Sequence, residues 1–312
     1  MNDAHVAEGD AATLLTERAR LLAIGYRMLG SRSEAEDAVQ ETYVRWYRQT
    51  EHERAEVRNP AAWLTTAMSR VCLNVLGSAR HRRESYVGEW LPEPLAAGSV
   101  LAAPSRAAGA DPAEQAAVAD DVTMALMVLL DALTPAERVA LVLHDVFGYQ
   151  FSEIADMVGR TPQAVRKLAS TARRHIDEER RRDVTPLQQR QVVESFFAAC
   201  RSGDVATLVE KLDPEAVVVA DGGGQVSAAL NPVCGADRVA RFLAGIFIKW
   251  PEIEASLEDA HGETRMVLRR GAAVAGVATF RVAAGRISNV WLVLNPGKLE
   301  TWTGIEDLPE GD

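Results

Sequence analysis

The period of the apolar residues changes once along the chain, and that change limits the fold more than any single motif. Up to about residue 183, apolar side chains recur every three or four positions, as on amphipathic helices. After a further helical run, "LQQRQVVESFFAAC", the pattern turns to β-rich stretches: "AVVVA", "TRMVLRR", "AAVAGVATFRV" and "RISNVWLVLNP". One more helix, "GADRVARFLAGIFIKW", lies among them. Such a chain folds as helical modules followed by an α+β module, and the neighbouring strands predict a curved antiparallel sheet.

Capping signals divide the helical part in two. In residues 10–83, Leu15, Ala19, Leu22, Tyr26 and Leu29 share a helix face. "SRSEAEDAVQETYVRWYR" follows, with Ser33 and Glu36 spaced as a capping box and a stripe of Ala35, Val39, Tyr43 and Trp46. A third helix opens at Asn59 as N-cap with Pro60 in the first position. In residues 115–183, Thr134, Pro135 and Glu137 start one helix and Gly148 ends it. "FSEIADMV" is closed by Gly159, and Thr161 with Pro162 start the last. A short helix, a glycine turn and a longer basic helix form a helix-turn-helix pattern. Residues 84–114 read as a linker, 186–300 as the α+β domain and 301–312 as an acidic tail.

Charge and cysteine usage narrow the function classes. The net charge of −10 argues against a general nucleic-acid coat. Residues from Pro186 onward hold 12 basic and 17 acidic side chains, so the helical part is acidic overall too. Its basic residues are concentrated in "SARHRR" (78–83) and "RKLASTARRH" (166–175), which suits a protein that touches DNA at a few places beside a partner. Cys72, Cys200 and Cys234 are far apart and the histidines are scattered, so no metal and no cofactor is expected. The absence of a long apolar run and of a basic leader predicts a cytoplasmic protein that does not enter a membrane.

The helix faces carry the chemistry. Asp37, Gln40 and Glu41 fall off the apolar stripe of the second helix, as a solvated face or a docking surface for a basic helix. Trp63, Ala67, Arg70 and Asn74 form a stripe on the third helix that leads into Arg80, Arg82 and Arg83. An aromatic, arginines and an amide suit single-stranded DNA, whose bases stack and whose phosphates pair with arginine; Trp63 also suits the core. On the last helix of the second module, Val165, Leu168, Ala169, Ala172 and Ile176 make the buried face. That leaves Thr161 at its start and Gln163, Arg166, Lys167, Ser170, Arg173 and Arg174 exposed, the residue types that read a major groove.

"GSRSEAEDAVQETYVRWYR" with "NPAAWLTTAMSRVCLNVLGSARHRR" resembles domain 2 of extracytoplasmic-function sigma factors, and "LTPAERVALVLHDVFGYQFSEIADMVGRTPQAVRKLASTARRHI" resembles their domain 4. "YVGEWLPEPL" (86–95), "DGGGQ" (221–225) and "NPGKL" (295–299) are similar to signatures of the group with a fused SnoaL-like, NTF2-like cone domain. The resemblance implies two all-α domains, a helical bundle and a helix-turn-helix, plus that α+β domain. It implies that Asp37, Gln40 and Glu41 dock on the clamp helices of core RNA polymerase. Trp63, Arg70, Asn74, Arg80, Arg82 and Arg83 would open promoter DNA at the −10 element. The helix from Thr161 would read the −35 element, with the domain on the polymerase flap. Regulation would be in cis, without a separate anti-sigma factor. Its contacts would be Trp90, Leu91, Pro92, Pro94, Asp221, Gly222, Gly223, Gly224, Asn295, Pro296, Lys298 and Leu299. Gln225 and Gly297 depart from the group, which usually has lysine and aspartate there.

Pro92 and Pro94 hold the linker extended, and Trp90, Leu91 and Leu95 give it side chains to bury. Packing against the α+β domain near "DGGGQ" and "NPGKL" is the expectation. Two other classes compete. SnoaL-like domains also house enzymes, with Asp221 then a general base, or a pocket for an unidentified small molecule. A plain helix-turn-helix repressor would explain residues 161–176 but not "EDAVQE" or the Trp63 stripe.

Overall fold

The computed structural model describes residues 17–84, 86–102, 122–181 and 183–302, with the side chains of 79–84 outside that description. Within these spans the chain forms two compact units. One takes residues 17–82, 99–102, 122 and 129–178; the other takes 83–98, 123–128 and 179–302. The first half of the linker therefore belongs with the C-terminal domain.

In the first unit, helix α1 (residues 17–29) is buried on every side from Leu21 to its end, which fits its near-continuous apolar sequence. Gly25 lets it approach its neighbours: a Cβ there would lie 2.6 Å from Met68 Cε and 3.0 Å from Ala35 Cβ. Gly30, at φ 76°, turns the chain into α2 (Arg32–Tyr47). Its cap is Ser31, whose Oγ accepts from the Glu34 amide at 3.4 Å, and not Ser33. Glu36 instead pairs with Arg32 one turn back, at 2.9 Å, so the expected box gives way to an i,i+4 ion pair. After α3 (Glu51–Glu56), Asn59 Oδ1 caps α4 (Pro60–Glu84), as its sequence predicts.

The same unit holds α5 (Met124–Ala132) from Leu129 on, α6 (Pro135–Leu141) with a π turn at Val142–Val146, α7 (Phe151–Val158) and most of α8 (Pro162–Arg180). Thr134 and Glu137 form the predicted capping box, Gly159 closes α7 at φ 67°, and Thr161 Oγ1 caps α8. Val165, Ala169, Ala172 and Ile176 are buried, while Leu168 is partly exposed. Two buried arginines stitch the helices. Arg138 donates to Arg27 O (3.1 Å) and Asp131 (3.0 Å), and Arg27 donates to Leu101 O (3.0 Å). Desolvation lowers the Arg27 guanidinium to about 10.

The second unit is α+β. Helices α9 (Pro186–Ser202), α10 (Val205–Lys211) and α11 (Ala236–Lys249) accompany six strands: β1 (Leu212–Asp221), β2 (Val233–Cys234), β3 (Glu254–Ala260), β4 (Glu263–Arg270), β5 (Ala273–Ala283) and β6 (Arg286–Val293). The sheet order is β2-β1-β6-β5-β4-β3. It is mixed, not antiparallel as expected, because β1 and β6 pair in parallel. The two strands are separated by α11 and four strands, which supply the long connection that parallel neighbours need.

Strand alternation gives the sheet two apolar faces. Val218, Ala220, Met266, Leu268, Phe280 and Leu292 pack with the helices, including an edge-to-face pair of Phe196 and Phe280 at 5.8 Å. Val267, Val277, Trp291 and Val293 face the other way. There Leu91, Met124, Leu299 and Trp302 cover them. The linker, the start of α5 and the segment after β6 thus take the place that a second layer of helices would fill. Among the described residues, no helix is long and apolar enough to cross a membrane.

Candidate functional site

The outer face of α2 leaves Asp37, Gln40 and Val44 exposed, while Glu41 is half-buried and paired with Arg45 at 2.8 Å. On α4 the Trp63 ring packs edge-on against Trp46 with centroids 5.1 Å apart, so it is half core. Arg70 and Asn74 are exposed. The Arg70 guanidinium also reaches across to α7, donating to Met157 O (3.0 Å) and Asp156 O (3.4 Å). These carbonyls end a helix, where a cation is favoured. Tyr149 OH donates to Thr65 Oγ1 nearby, at 2.9 Å. The side chains of Arg80, Arg82 and Arg83 lie outside the described residues.

On α8, Thr161, Gln163, Arg166, Lys167, Ser170 and Arg174 share the exposed face, with Arg166 over the Phe151 ring at 5.3 Å. Arg173 departs from the expectation. It is half-buried and donates through Nε (2.6 Å) and NH2 (2.5 Å) to both oxygens of Asp145. Burial works to raise the Asp145 carboxyl, but hydrogen bonds from Arg173 and His144 outweigh it and hold it below the usual range. Arg173→Ala should therefore cost about 2–3 kcal/mol, less than a fully buried pair because Arg173 keeps some solvent. Arg174→Ala should stay within about 0.5 kcal/mol of wild type. Denaturant midpoints of the two variants check this.

The C-terminal unit brings the three remaining motifs to one place. β1 ends in Asp221, fully buried on the face that the linker covers. Its Oδ1 accepts from Tyr86 OH (2.7 Å) and the Gly223 amide (3.0 Å), and its Oδ2 from the Leu91 amide (2.9 Å) and Lys298 Nζ (2.7 Å). Lys298 also donates to Leu91 O (2.5 Å) and sits over the Trp90 ring at 4.2 Å. Asn295 Nδ2 donates to Tyr86 OH (2.8 Å). Burial, then the Asp221 carboxylate, pushes the Tyr86 phenol up, which keeps its proton available to donate. A buried carboxylate and ammonium are tolerable only when paired and fully hydrogen-bonded, and here the linker supplies part of that bonding.

The glycines open the turn for this arrangement. A Cβ on Gly222 would lie 2.4 Å from Val226 O, and one on Gly223, at φ 60°, would lie 2.3 Å from Asn295 Nδ2. Leu91, Pro92, Pro94, Leu95 and Leu299 are buried; Gly224 and Pro296 are exposed. Gln225 and Gly297 face solvent, so the two departures from the group leave the buried pair intact.

Sequence reasoning missed part of the site. Trp302 Nε1 donates to Pro94 O (2.7 Å), Arg265 NH1 to Leu95 O (2.5 Å), and His261 Nε2 lies 2.9 Å from Ala96 O. The signal was in "ETRMVLRR": by strand alternation Glu263 and Arg265 share a face with Val267, and two charges there need partners. The enzyme alternative finds little support in geometry, since all four contacts of Asp221 hold chain segments together. A cavity of about 220 Å³ adjoins this site at Pro296 and Leu299 and is otherwise lined by residues such as Val226, Ile246, Trp250 and Arg270. Burial drives the Cys72 and Cys200 thiols up to about 12, so neither is a ready nucleophile. Among the described residues, no three metal-binding side chains cluster.

A tightly built helix-turn-helix beside a helical bundle defines a sequence-reading transcription protein, and comparison specifies which. The Sigma-70 region 2 model matches residues 14–83 and the Sigma-70 region 4 model matches residues 123–176. The ECF RNA polymerase sigma factor SigJ of Mycobacterium tuberculosis is 34% identical over 300 residues, covering 90% of each chain. The probable ECF RNA polymerase sigma factor SigI of the same species is 33% identical over 296 residues, covering 93% of this chain and 94% of its own. The crystal structure of M. tuberculosis SigJ matches with a TM-score of 0.66 and 30% identity, over 95% of this chain and 98% of that one. The chain belongs to the extracytoplasmic-function sigma factors. It directs promoter recognition by RNA polymerase, and its α+β extension is shared with a solved member.

Proposed function

We propose that this sigma factor is regulated in cis by its C-terminal domain, which holds the linker between regions 2 and 4 in a docked, restrained state. The observation that carries this is the buried Asp221–Lys298 pair, which grips Leu91 by both its amide and its carbonyl. Linker flexibility is what two DNA-reading regions need to reach separate promoter elements, and docking removes it. Engagement of Arg70 with α7 carbonyls fits the same restrained state.

In this reading Asp37, Gln40 and Glu41 meet the polymerase clamp helices, and region 4 meets the flap. Trp63, Arg70, Asn74, Arg80, Arg82 and Arg83 engage the −10 element. Thr161, Gln163, Arg166, Lys167, Ser170 and Arg174 engage the −35 element, with Arg173 bracing that helix through Asp145. The protein acts in the cytoplasm, without a separate anti-sigma factor and without catalysis of its own. Two measurements test this. The full chain should comigrate with core RNA polymerase in the absence of DNA, which a simple repressor would not do. Trp90→Ala removes the ring under Lys298 and should change promoter-dependent transcription while both helical regions stay folded; unchanged transcription would remove the clasp from the account.

A further inference from the structure

A second buried ion pair on the linker-covered face lies apart from Asp221 and Lys298. Glu263 and Arg265 are two residues apart on β4, so both point to that face. Glu263 Oε1 accepts from Arg265 Nε (2.7 Å) and NH2 (2.6 Å), and the two side chains are 6% and 1% exposed. A pair that dry is retained only if its remaining bonding capacity is met. Two chain segments meet it. The Arg265 NH1 donates to Leu95 O at 2.5 Å, and the Met124 amide donates to Glu263 Oε1 at 3.2 Å.

Met124 is the first residue of α5. The early amides of a helix have no partner within it, and a carboxylate there also favours the helix dipole. Thr123 Oγ1 serves the Leu126 amide at 3.2 Å, but the Met124 amide is served by β4. The start of the region 4 segment is thus capped by a side chain of the C-terminal domain. Trp302 closes the group from the other side, its ring 5.9 Å from Arg265 Cζ and its Nε1 on Pro94 O.

We propose that Glu263 and Arg265 are positioning residues forming a second fastening, which holds Leu95 and Met124, the residues flanking the 96–123 stretch, at one spot. Asp221 and Lys298 fasten only the stretch that follows region 2. Glu263 and Arg265 also fix where region 4 begins. This goes beyond the proposed regulation in cis and does not depend on its sign.

Hydrogen–deuterium exchange on the full chain tests it. In Glu263→Ala, amides of 123–128 should exchange about 10- to 100-fold faster, the range for losing hydrogen bonds to a buried charge. Amides of 86–92 should stay near wild type. Lys298→Ala should give the reverse pattern. Glu263→Gln keeps an acceptor for the Met124 amide and should restore much of the protection at 123–128. Unchanged β5 and β6 peptides report that the domain is folded; if the alanine variant fails that check, Glu263→Gln and Arg265→Lys supply the same contrast in milder form. Equal loosening of both segments, or none at 123–128, would overturn the proposal.

Discussion

Asp221→Ala is expected to release residues 86–92 from the sheet and to destabilise the C-terminal unit by about 3–5 kcal/mol, the range for breaking one side of a buried ion pair. The carboxylate is fully buried and accepts from Tyr86, Leu91, Gly223 and Lys298. Removing it leaves the Lys298 ammonium with the Leu91 carbonyl and the Trp90 and Tyr86 rings, which do not neutralise it. The Leu91 amide and the Tyr86 hydroxyl lose their acceptor in the same step. Asp221→Asn keeps the shape and one acceptor oxygen, so it should fall between wild type and alanine. Chemical denaturation gives the stabilities, and hydrogen exchange at Leu91 reports the release.

Gly223→Ala should have the next largest effect, about 2–5 kcal/mol. A left-handed conformation at a non-glycine residue costs about 1–2 kcal/mol, and the forced repacking adds about 1–3 kcal/mol. Its Cβ would overlap Asn295, which is held in place by Tyr86 OH and the Gly297 amide. Gly222→Ala meets a backbone carbonyl and should be comparably harmful. Gly224→Ala meets only the exposed Val87, at 3.1 Å, and should cost about 1 kcal/mol from backbone strain alone. Denaturant midpoints of the three single variants give the ranking, and equal values for all three would contradict this reading of the turn.

Local chemistry made much of the fold legible. Thr134, Pro135, Glu137, Gly159 and Thr161 act through neighbours within four residues, so their roles could be read directly from spacing. Ser33 against Ser31 shows the limit. Two serines compete for one cap, and the Arg32–Glu36 pair, with Ser31 taking the Glu34 amide, sets the outcome. The parallel pairing of β1 with β6 was hidden because register between distant strands leaves no trace in periodicity. Likewise β3, "EASLEDA", is a polar edge strand whose pairing with β4 outweighs its weak β-propensity.

The site divides in the same way. Trp90, Leu91 and Pro92 announced a docking segment because apolar residues in a linker need cover. Asp221 and Lys298 are 77 positions apart, and only the motif resemblance linked them before geometry did. Arg173 was misplaced because helical periodicity gives the angle of a side chain but not the buried carboxylate that reaches it from Asp145. His261, Arg265 and Trp302 serve linker carbonyls and Glu263 the first amide of α5, and backbone groups carry no residue-type signal.

Promoter-specific run-off transcription with core RNA polymerase tests the central claim most directly, comparing the full wild-type chain with full-length Asp221→Ala. Regulation in cis by a docked linker predicts that both bind core polymerase and that the variant yields several-fold more transcript. Equal transcript from the two, with the linker shown by hydrogen exchange to be released, would contradict it.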